Sequence, residues 1–170
     1  MEYDPAQPST ETEMSMAYGN AGLVVHAGVD VTSTSELGAA GVRAAVILSA
    51  GFGESSDAGA LLEKEILEHA RLYDMRIVGP NCLGILRPQS GLNASFSNSN
   101  VLPGRMAFVS QSGALCTAIL DWAQSSAIGF SAIVSLGDAV DVDFGDVLSY
   151  LAMDPQTGSI LLYVEGIHNE

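Results

Sequence analysis

The sequence predicts an α/β protein built on parallel sheet. Three observations carry this. Short, continuously apolar runs (Ala44-Ala-Val-Ile-Leu48, Met106-Ala-Phe-Val109, Ile160-Leu-Leu-Tyr-Val164) alternate with longer stretches of helical periodicity. Such runs suit strands buried on both faces, and the alternation is that of right-handed βαβ units. Nearly every run stops at small or turn-forming residues, as at Ser49–Gly53, Gly79–Gly84, Ser110–Gly113 and Gly137–Asp141. Hydrophobic residues make up 48% of the 170, charged residues only 15%, and there are 18 glycines, a composition that supplies buried strands and turns.

Residues 1–20 are polar, acidic and without apolar periodicity, and read as a disordered leader. Leu23-Val-Val is a short strand candidate, and Ser33–Ala40 a brief helix ended by Gly41. Ala44–Leu48 is the first clear strand. Asp57–Asp74 is an amphipathic helix, with Leu61, Leu62, Ile66, His69, Ala70 and Tyr73 at helical spacing. Arg76-Ile-Val78 is the next strand, and Gly79-Pro-Asn-Cys-Leu-Gly84 a turn with Pro80 fixing φ between two glycines. Residues 87–103, rich in Ser and Asn and closed by Pro103-Gly104, read as a long polar loop, so the domain boundary is expected at 102/103. Beyond it come strand Met106–Val109, helix Gly113–Ser125, strand Phe130–Leu136, helix Val142–Met153 stopped by Asp154-Pro155, and strand Ile160–Val164.

Charge excludes several functions. The net charge is −14 with six basic residues, and from Met106 to Glu170 there is no Lys or Arg against eight acids. Nucleic-acid binding needs a basic footprint, and an anionic membrane surface would repel this chain. No run of 18 apolar residues appears. Two cysteines, Cys82 and Cys116, make no disulfide framework, and a reducing cytoplasm is the expected compartment. The sequon Asn93-Ala-Ser95 is then a chance match.

Open α/β sheets bind ligands at the carboxyl ends of their strands. Ser110-Gln-Ser-Gly113 joins a strand to a helix, where unpaired backbone N–H groups and the helix dipole receive anions. Ordinary serine capping explains the same residues. Glu165, a lone carboxylate after five apolar residues, is either a functional group at a strand end or an acid in a solvated loop. Cys82 is either an inert thiol or an activated one lacking a visible base. Asp138, Asp141, Asp143 and Asp146 fail the EF-hand spacing at Gly145 and Asp146, and suit a solvated loop and a helix start. His26, His69 and His168 have no zinc spacing. G-x-G-x-x-G and Walker A sequences are absent, and Ser110 breaks G-x-S-x-G.

Six stretches, in order, resemble the NDP-forming acyl-CoA synthetases: Val42–Glu54, Arg76–Ile85, Gly91–Phe96, Phe108–Leu115, Ser135–Asp143 and Ile160–Glu165. That family includes the succinyl-CoA synthetase alpha subunit and bacterial protein lysine acetyltransferases that fuse a ligase-like region to a GNAT domain. Gly91–Phe96, Ile119–Trp122 and Tyr150–Ala152 lean towards the fused type.

The resemblance implies a Rossmann-like CoA-binding domain, of which 21–102 would be the C-terminal part. A flavodoxin-like ligase domain would follow, its first half at 103–170. It implies that acyl-CoA, NDP and phosphate interconvert with carboxylate, CoA and NTP through a phosphohistidine. By position, Leu48, Ser49 and Ala50 match a CoA-contacting strand end, and Asn81 and Cys82 the loop facing the reacting end of CoA. Ser110, Ser112 and Gly113 match the helix start that docks the phosphohistidine, and Glu165 the carboxylate that orients it.

The family's CoA glycine loop is expected upstream of residue 40, and residues 1–40 do not supply it. Its phosphohistidine is expected beyond Glu165. ATP or ADP would act only through an ATP-grasp domain or subunit outside these residues. The resemblance therefore reads the chain as an internal fragment, inactive alone and open to self-association through exposed sheet edges. A non-catalytic acyl-CoA-sensing module of an acetyltransferase is the alternative reading.

Overall fold

The computed structural model describes residues 31–98 and 101–166, together with the backbone of two short strands at 16–18 and 23–26. Residues 1–15, 19 and 20 of the expected leader, and His168, lie outside the described residues; Met16–Tyr18 of that leader forms strand β1. The other strands are β2 (Leu23–His26), β3 (Ala44–Ile47), β4 (Arg76–Val78), β5 (Gly84–Arg87), β6 (Leu92–Ser95), β7 (Leu102–Ser110), β8 (Gly129–Ser135) and β9 (Ser159–Tyr163). The helices are α1 (Val31–Ala39), α2 (Asp57–Leu72), α3 (Gly113–Ser125) and α4 (Phe144–Met153).

Two sheets form. The first has the order β1-β2-β3-β4, with β2, β3 and β4 parallel and β1 antiparallel at the edge. The second has the order β6-β5-β8-β7-β9, with β8, β7 and β9 parallel and the β5–β6 hairpin antiparallel beside β8. The expected α/β class with parallel-rich sheets is the observed one.

The apolar runs of β3, β7 and β8 are buried as their pattern requires. On the first sheet, Ala45, Ile47 and Ile77 face α2 through Ile66 and Ala70, while Val46 and Val78 face the other way, towards Cys82 and Ala94. On the second, Phe108, Phe130 and Ile133 meet Cys116 and Leu120 of α3, whereas Ala107, Val109 and Val134 meet Val147 and Leu151 of α4. Successive residues of β7 and β8 thus bury opposite faces under opposite helices, and continuous apolar strands result.

Residues 87–103 are not one polar loop. Arg87 pairs with Leu92 and Gly84 with Ser95, so the region holds the β5–β6 hairpin, reversed through a 3₁₀ turn at Pro88–Ser90. β7 then begins at Leu102. Only alternate hairpin positions are buried, Leu86 and Ala94 among them, and the intervening Asn and Ser make so short a period hard to see. The change of sheet therefore falls between β4 and β5, ahead of residue 102.

The two sheets are stitched together by the segment after β8. Asp138 N donates to Pro80 O (3.1 Å), Val140 N to Gly79 O (3.3 Å) and Val142 N to Ile77 O (3.1 Å). Arg76 on β4 pairs with Asp141 at 3.0 Å and Asp146 at 2.8 Å. Asp143 caps α4: its carboxylate accepts from Asp146 N (3.0 Å), and the Asp146 side chain accepts from Asp143 N. Asp143 and Asp146 thus serve the helix start, as expected, and Asp141 and Asp146 add an ion pair with Arg76 that the sequence reading did not include. The run Ile160–Val164 is not the buried strand its apolar composition predicts: β9 lies at the sheet edge beside β7 alone, and Leu161, Leu162, Tyr163 and the following Val164 are each 41–45% exposed. No helix among the described residues is long and apolar enough to cross a membrane.

Candidate functional site

The site is assembled at strand ends, beginning with the β4–β5 turn. After Val78 the chain reverses at Gly79, φ 100°, where a Cβ would lie 2.4 Å from Ile47 O. Only glycine fits a positive φ at so close an approach. Asn81, also at positive φ (57°), donates its N–H to Ser49 O at 2.9 Å, and Cys82 Sγ donates to Ile47 O at 3.2 Å. These bonds lay the turn against the end of β3. Leu83 N then donates to the buried Ser135 Oγ at 2.9 Å, anchoring it to β8.

The second part is the β7–α3 turn. Ser110 is fully buried, and its Oγ accepts from Ser112 N and donates to Ser112 O, both at 3.0 Å. Ser112 is the N-cap of α3, its Oγ accepting from Leu115 N at 3.4 Å. Ser110 therefore shapes the turn from within, while Ser112 and Gly113 present the helix start to solvent. The third part is the segment after β9, where the Gln111 side chain accepts from Glu165 N at 2.7 Å and Gly166 N at 3.1 Å.

These parts enclose one cavity of about 440 Å³. Leu48, Asn81, Cys82, Leu83 and Phe96 line one side, Gln111, Ser112, Gly113, Ala114 and Thr117 the other, with Glu165 completing the wall. Of the residues expected at a site, Leu48, Asn81, Cys82, Ser112, Gly113 and Glu165 are brought together. Ser49, Ala50 and Ser110 do not line the cavity; Ser49 holds the β4–β5 turn from behind, as Ser110 does the α3 turn. The sequence reading missed Gln111 and Phe96. Gln111 sat in plain view between two singled-out serines, but a residue whose role is to bond a distant backbone carries no local signal.

Electrostatics divide the groups. Burial pushes the Cys82 thiol up to about 12, and that of Cys116 up to about 11, so both are neutral thiols near pH 7. Asp138 donates no charge lightly: burial raises its carboxyl to about 6, assisted by the facing Glu54 carboxylate and opposed by the Asn81 amide. Against its own slight burial, Glu54 is held low by the N–H of Gly51 and by Ser55 Oγ. Among the described residues no cationic side chain lines the cavity, so an anion there would be received by backbone N–H groups at the start of α3. Among the described residues no group of three or more His, Cys, Asp or Glu is disposed to hold a metal ion.

Comparison with known proteins gives this geometry a context. Residues 103–170 match the family model described as succinyl-CoA ligase like flavodoxin domain. The chain is 44% identical over 147 residues to an ADP-forming acetate–CoA ligase I of Archaeoglobus fulgidus, a match covering 86% of this chain and 22% of that protein. It is 44% identical over 132 residues to the alpha subunit of ADP-forming acetate–CoA ligase I of Pyrococcus furiosus, covering 78% of this chain and 29% of that subunit. Among solved structures, the dinucleotide-forming acetyl-coenzyme A synthetase 1 of Ca. Korarchaeum cryptofilum, in complex with phosphate and ADP, superposes with a TM-score of 0.79. It shares 39% identity and covers 86% of this chain and 32% of that one. The chain thus spans less than a third of the length of these relatives. It is similar to one segment of the ADP-forming acetate–CoA ligases, alpha-subunit-like, and its residues 103–170 match the succinyl-CoA ligase like flavodoxin domain.

Proposed function

We propose that this chain forms the CoA-binding and phosphoryl-transfer portion of an NDP-forming acyl-CoA ligase, with acetate the leading acid substrate and the cytoplasm its compartment. The observation that carries the reading is the single 440 Å³ cavity in which Asn81 and Cys82, the α3 N-terminus and Glu165 meet. Five of the six motif stretches, scattered over more than a hundred residues, meet there at strand ends, where open α/β sheets bind ligands. The relatives described above are named as ligases, and nothing in them supports the expected link to a lysine acetyltransferase.

In this reading residues 21–102 contribute to CoA binding and 103–170 to the ligase domain. Leu48, Ser49 and Ala50 border CoA at the end of β3. Asn81 and Cys82 face its reacting end, and the raised pKa of Cys82 makes it a neutral wall, not a nucleophile. The start of α3 at Ser112 and Gly113 holds the phosphoryl group of a phosphohistidine, with Ser110, whose Oγ takes the Ser112 N–H, fixing the turn. Glu165 accepts the N–H of that imidazole, favouring its charged form and its orientation. The nucleotide is handled by an ATP-grasp domain or subunit, the natural partner of this chain.

Titration calorimetry of the chain with CoA tests the reading. We expect saturable heat, weakened by bulky replacement of Asn81; no heat at millimolar CoA overturns the claim.

A further inference from the structure

We propose that Gln111 is a positioning residue that sets the Glu165 carboxylate relative to the start of α3. The inference deepens the reading above and rests on it. Glu165 follows edge strand β9 and is exposed, so nothing in its own burial fixes it. Gln111 supplies what burial does not. Its Oε1 accepts from both Glu165 N (2.7 Å) and Gly166 N (3.1 Å), and its Nε2 donates to Gly166 O (3.1 Å). Its own N–H donates to Tyr163 O at 3.2 Å. One residue therefore makes four hydrogen bonds to 163–166, three of them through the side chain.

The other end of this clamp is equally fixed. Gln111 lies between Ser110 and Ser112, and the buried Ser110 hydroxyl bonds both N–H and C=O of Ser112. The turn that presents the α3 N–H groups is thus the same rigid unit that grips the Glu165 peptide. A phosphorylated imidazole bound between them must satisfy both at once, its phosphoryl group at the helix start and its ring N–H at Glu165. Gln111 fixes the spacing between those two demands. A site held to within a fraction of an ångström by such supporting groups is what two-point recognition requires.

The position excludes simpler substitutes. Asn is one methylene too short to span from the α3 turn to the 165–166 peptides. Ala removes all three side-chain bonds. Glu keeps an oxygen for the two N–H donors and loses only the bond to Gly166 O.

The test compares two probes on the intact chain, inorganic phosphate and N-phosphoimidazole, by NMR or calorimetry. The readout is the ratio of the two affinities, because phosphate needs only the helix start whereas phosphoimidazole also reaches Glu165. Wild type is expected to prefer phosphoimidazole by about tenfold, the worth of one hydrogen bond to a charged group. Gln111→Ala should abolish that preference while leaving phosphate affinity within about twofold. Gln111→Glu should lower both affinities by charge repulsion yet retain the ratio. Glu165→Gln should abolish the preference, and adding Gln111→Ala to it should change nothing further.

If Glu165→Gln loses the preference and a folded Gln111→Ala keeps it, the positioning role is overturned and the site reading survives. If Gln111→Ala weakens phosphate as much as phosphoimidazole, Gln111 is a direct ligand and the proposal fails. If wild type shows no preference, the reading of Glu165 fails and takes the proposal with it. Should Gln111→Ala fail to fold, loss of the ratio in Gln111→Glu counts against the role and its retention for it.

Discussion

Asn81 Nδ2 donates to Asp138 Oδ1 at 3.3 Å, joining the turn that lines the cavity to the loop that leaves β8. The same two loops are bonded through backbone, Asp138 N to Pro80 O. The other carboxylate oxygen, Asp138 Oδ2, is shut from solvent without a hydrogen-bond donor and lies towards Glu54. Two acids thus share the space behind Asn81, one with its carboxyl raised to about 6 and the other held low.

This arrangement makes stability depend on pH with a definite sign. Asp138 is raised above its unfolded value of 3.8, so the folded state binds its proton more tightly. The stability it contributes is present below about pH 4 and is lost as pH rises through 6. Asp138→Asn removes the titration and keeps an acceptor for Asn81. The variant should exceed wild type by about 1 kcal/mol at pH 8, a figure reduced for the screening of a partly exposed group. The gap should close below pH 4. Urea titrations across this range check it, and a pH-independent gap would refute the assignment.

Gly137 is where the same loop passes closest to the turn. Its φ is 57°, and a Cβ would lie 2.0 Å from Pro80 O and 2.6 Å from Asn81 O. Both obstacles are backbone, fixed in turn by Ser49 and Ile47. Gly137→Ala should therefore cost about 2–4 kcal/mol, as overpacking and backbone strain combine. Chemical denaturation measures this directly; a loss below about 0.5 kcal/mol, the range of neutral surface changes, would show that the loops separate easily.

The two thiols offer a kinetic check. Cys82 and Cys116 are both buried, 3% and 0% exposed, and burial raises both above the ordinary thiol range. A thiolate-specific disulfide reagent at pH 8 should leave the native chain almost unlabelled and modify both residues once urea unfolds it. Rapid labelling of native Cys82 would mean that the cavity wall opens, or that the thiol is activated after all.

Much of this was legible in the sequence because burial wrote it there. β3, β7 and β8 are covered on both faces, so their apolar runs are continuous, and α3 was placed from Gly113 to Ser125 by its periodicity and its serine cap. The β5–β6 hairpin was not legible, because four-residue strands with only two buried positions in β5 and one in β6 resemble a polar loop. At the site, turn chemistry points to Ser112, whose capping bond is local, whereas Asn81 and Cys82 are implied by the family resemblance. Gln111 and Phe96 escaped because their partners lie far along the chain: Gln111 bonds residues 54 and 55 positions away, a relationship no periodicity encodes.

The last ambiguity of the sequence, whether Ser112 merely caps α3 or belongs to an anion site, is open to a single substitution. Ser112 Oγ accepts from Leu115 N, a capping bond whose loss in Ser112→Ala should cost about 1 kcal/mol whichever reading holds. Ser112→Asp separates them. Asp is as good an N-cap as Ser, and its charge suits the positive end of the helix, so stability should be kept or slightly raised. At an anion site the same carboxylate occupies the field that the phosphoryl group needs and repels it. We therefore expect Ser112→Asp to hold the urea midpoint of wild type while phosphate affinity falls by tenfold or more, roughly the 1.4 kcal/mol that a like charge at contact distance costs. Unchanged phosphate affinity in a stable Ser112→Asp would leave Ser112 as a cap and move the phosphoryl site elsewhere in the cavity.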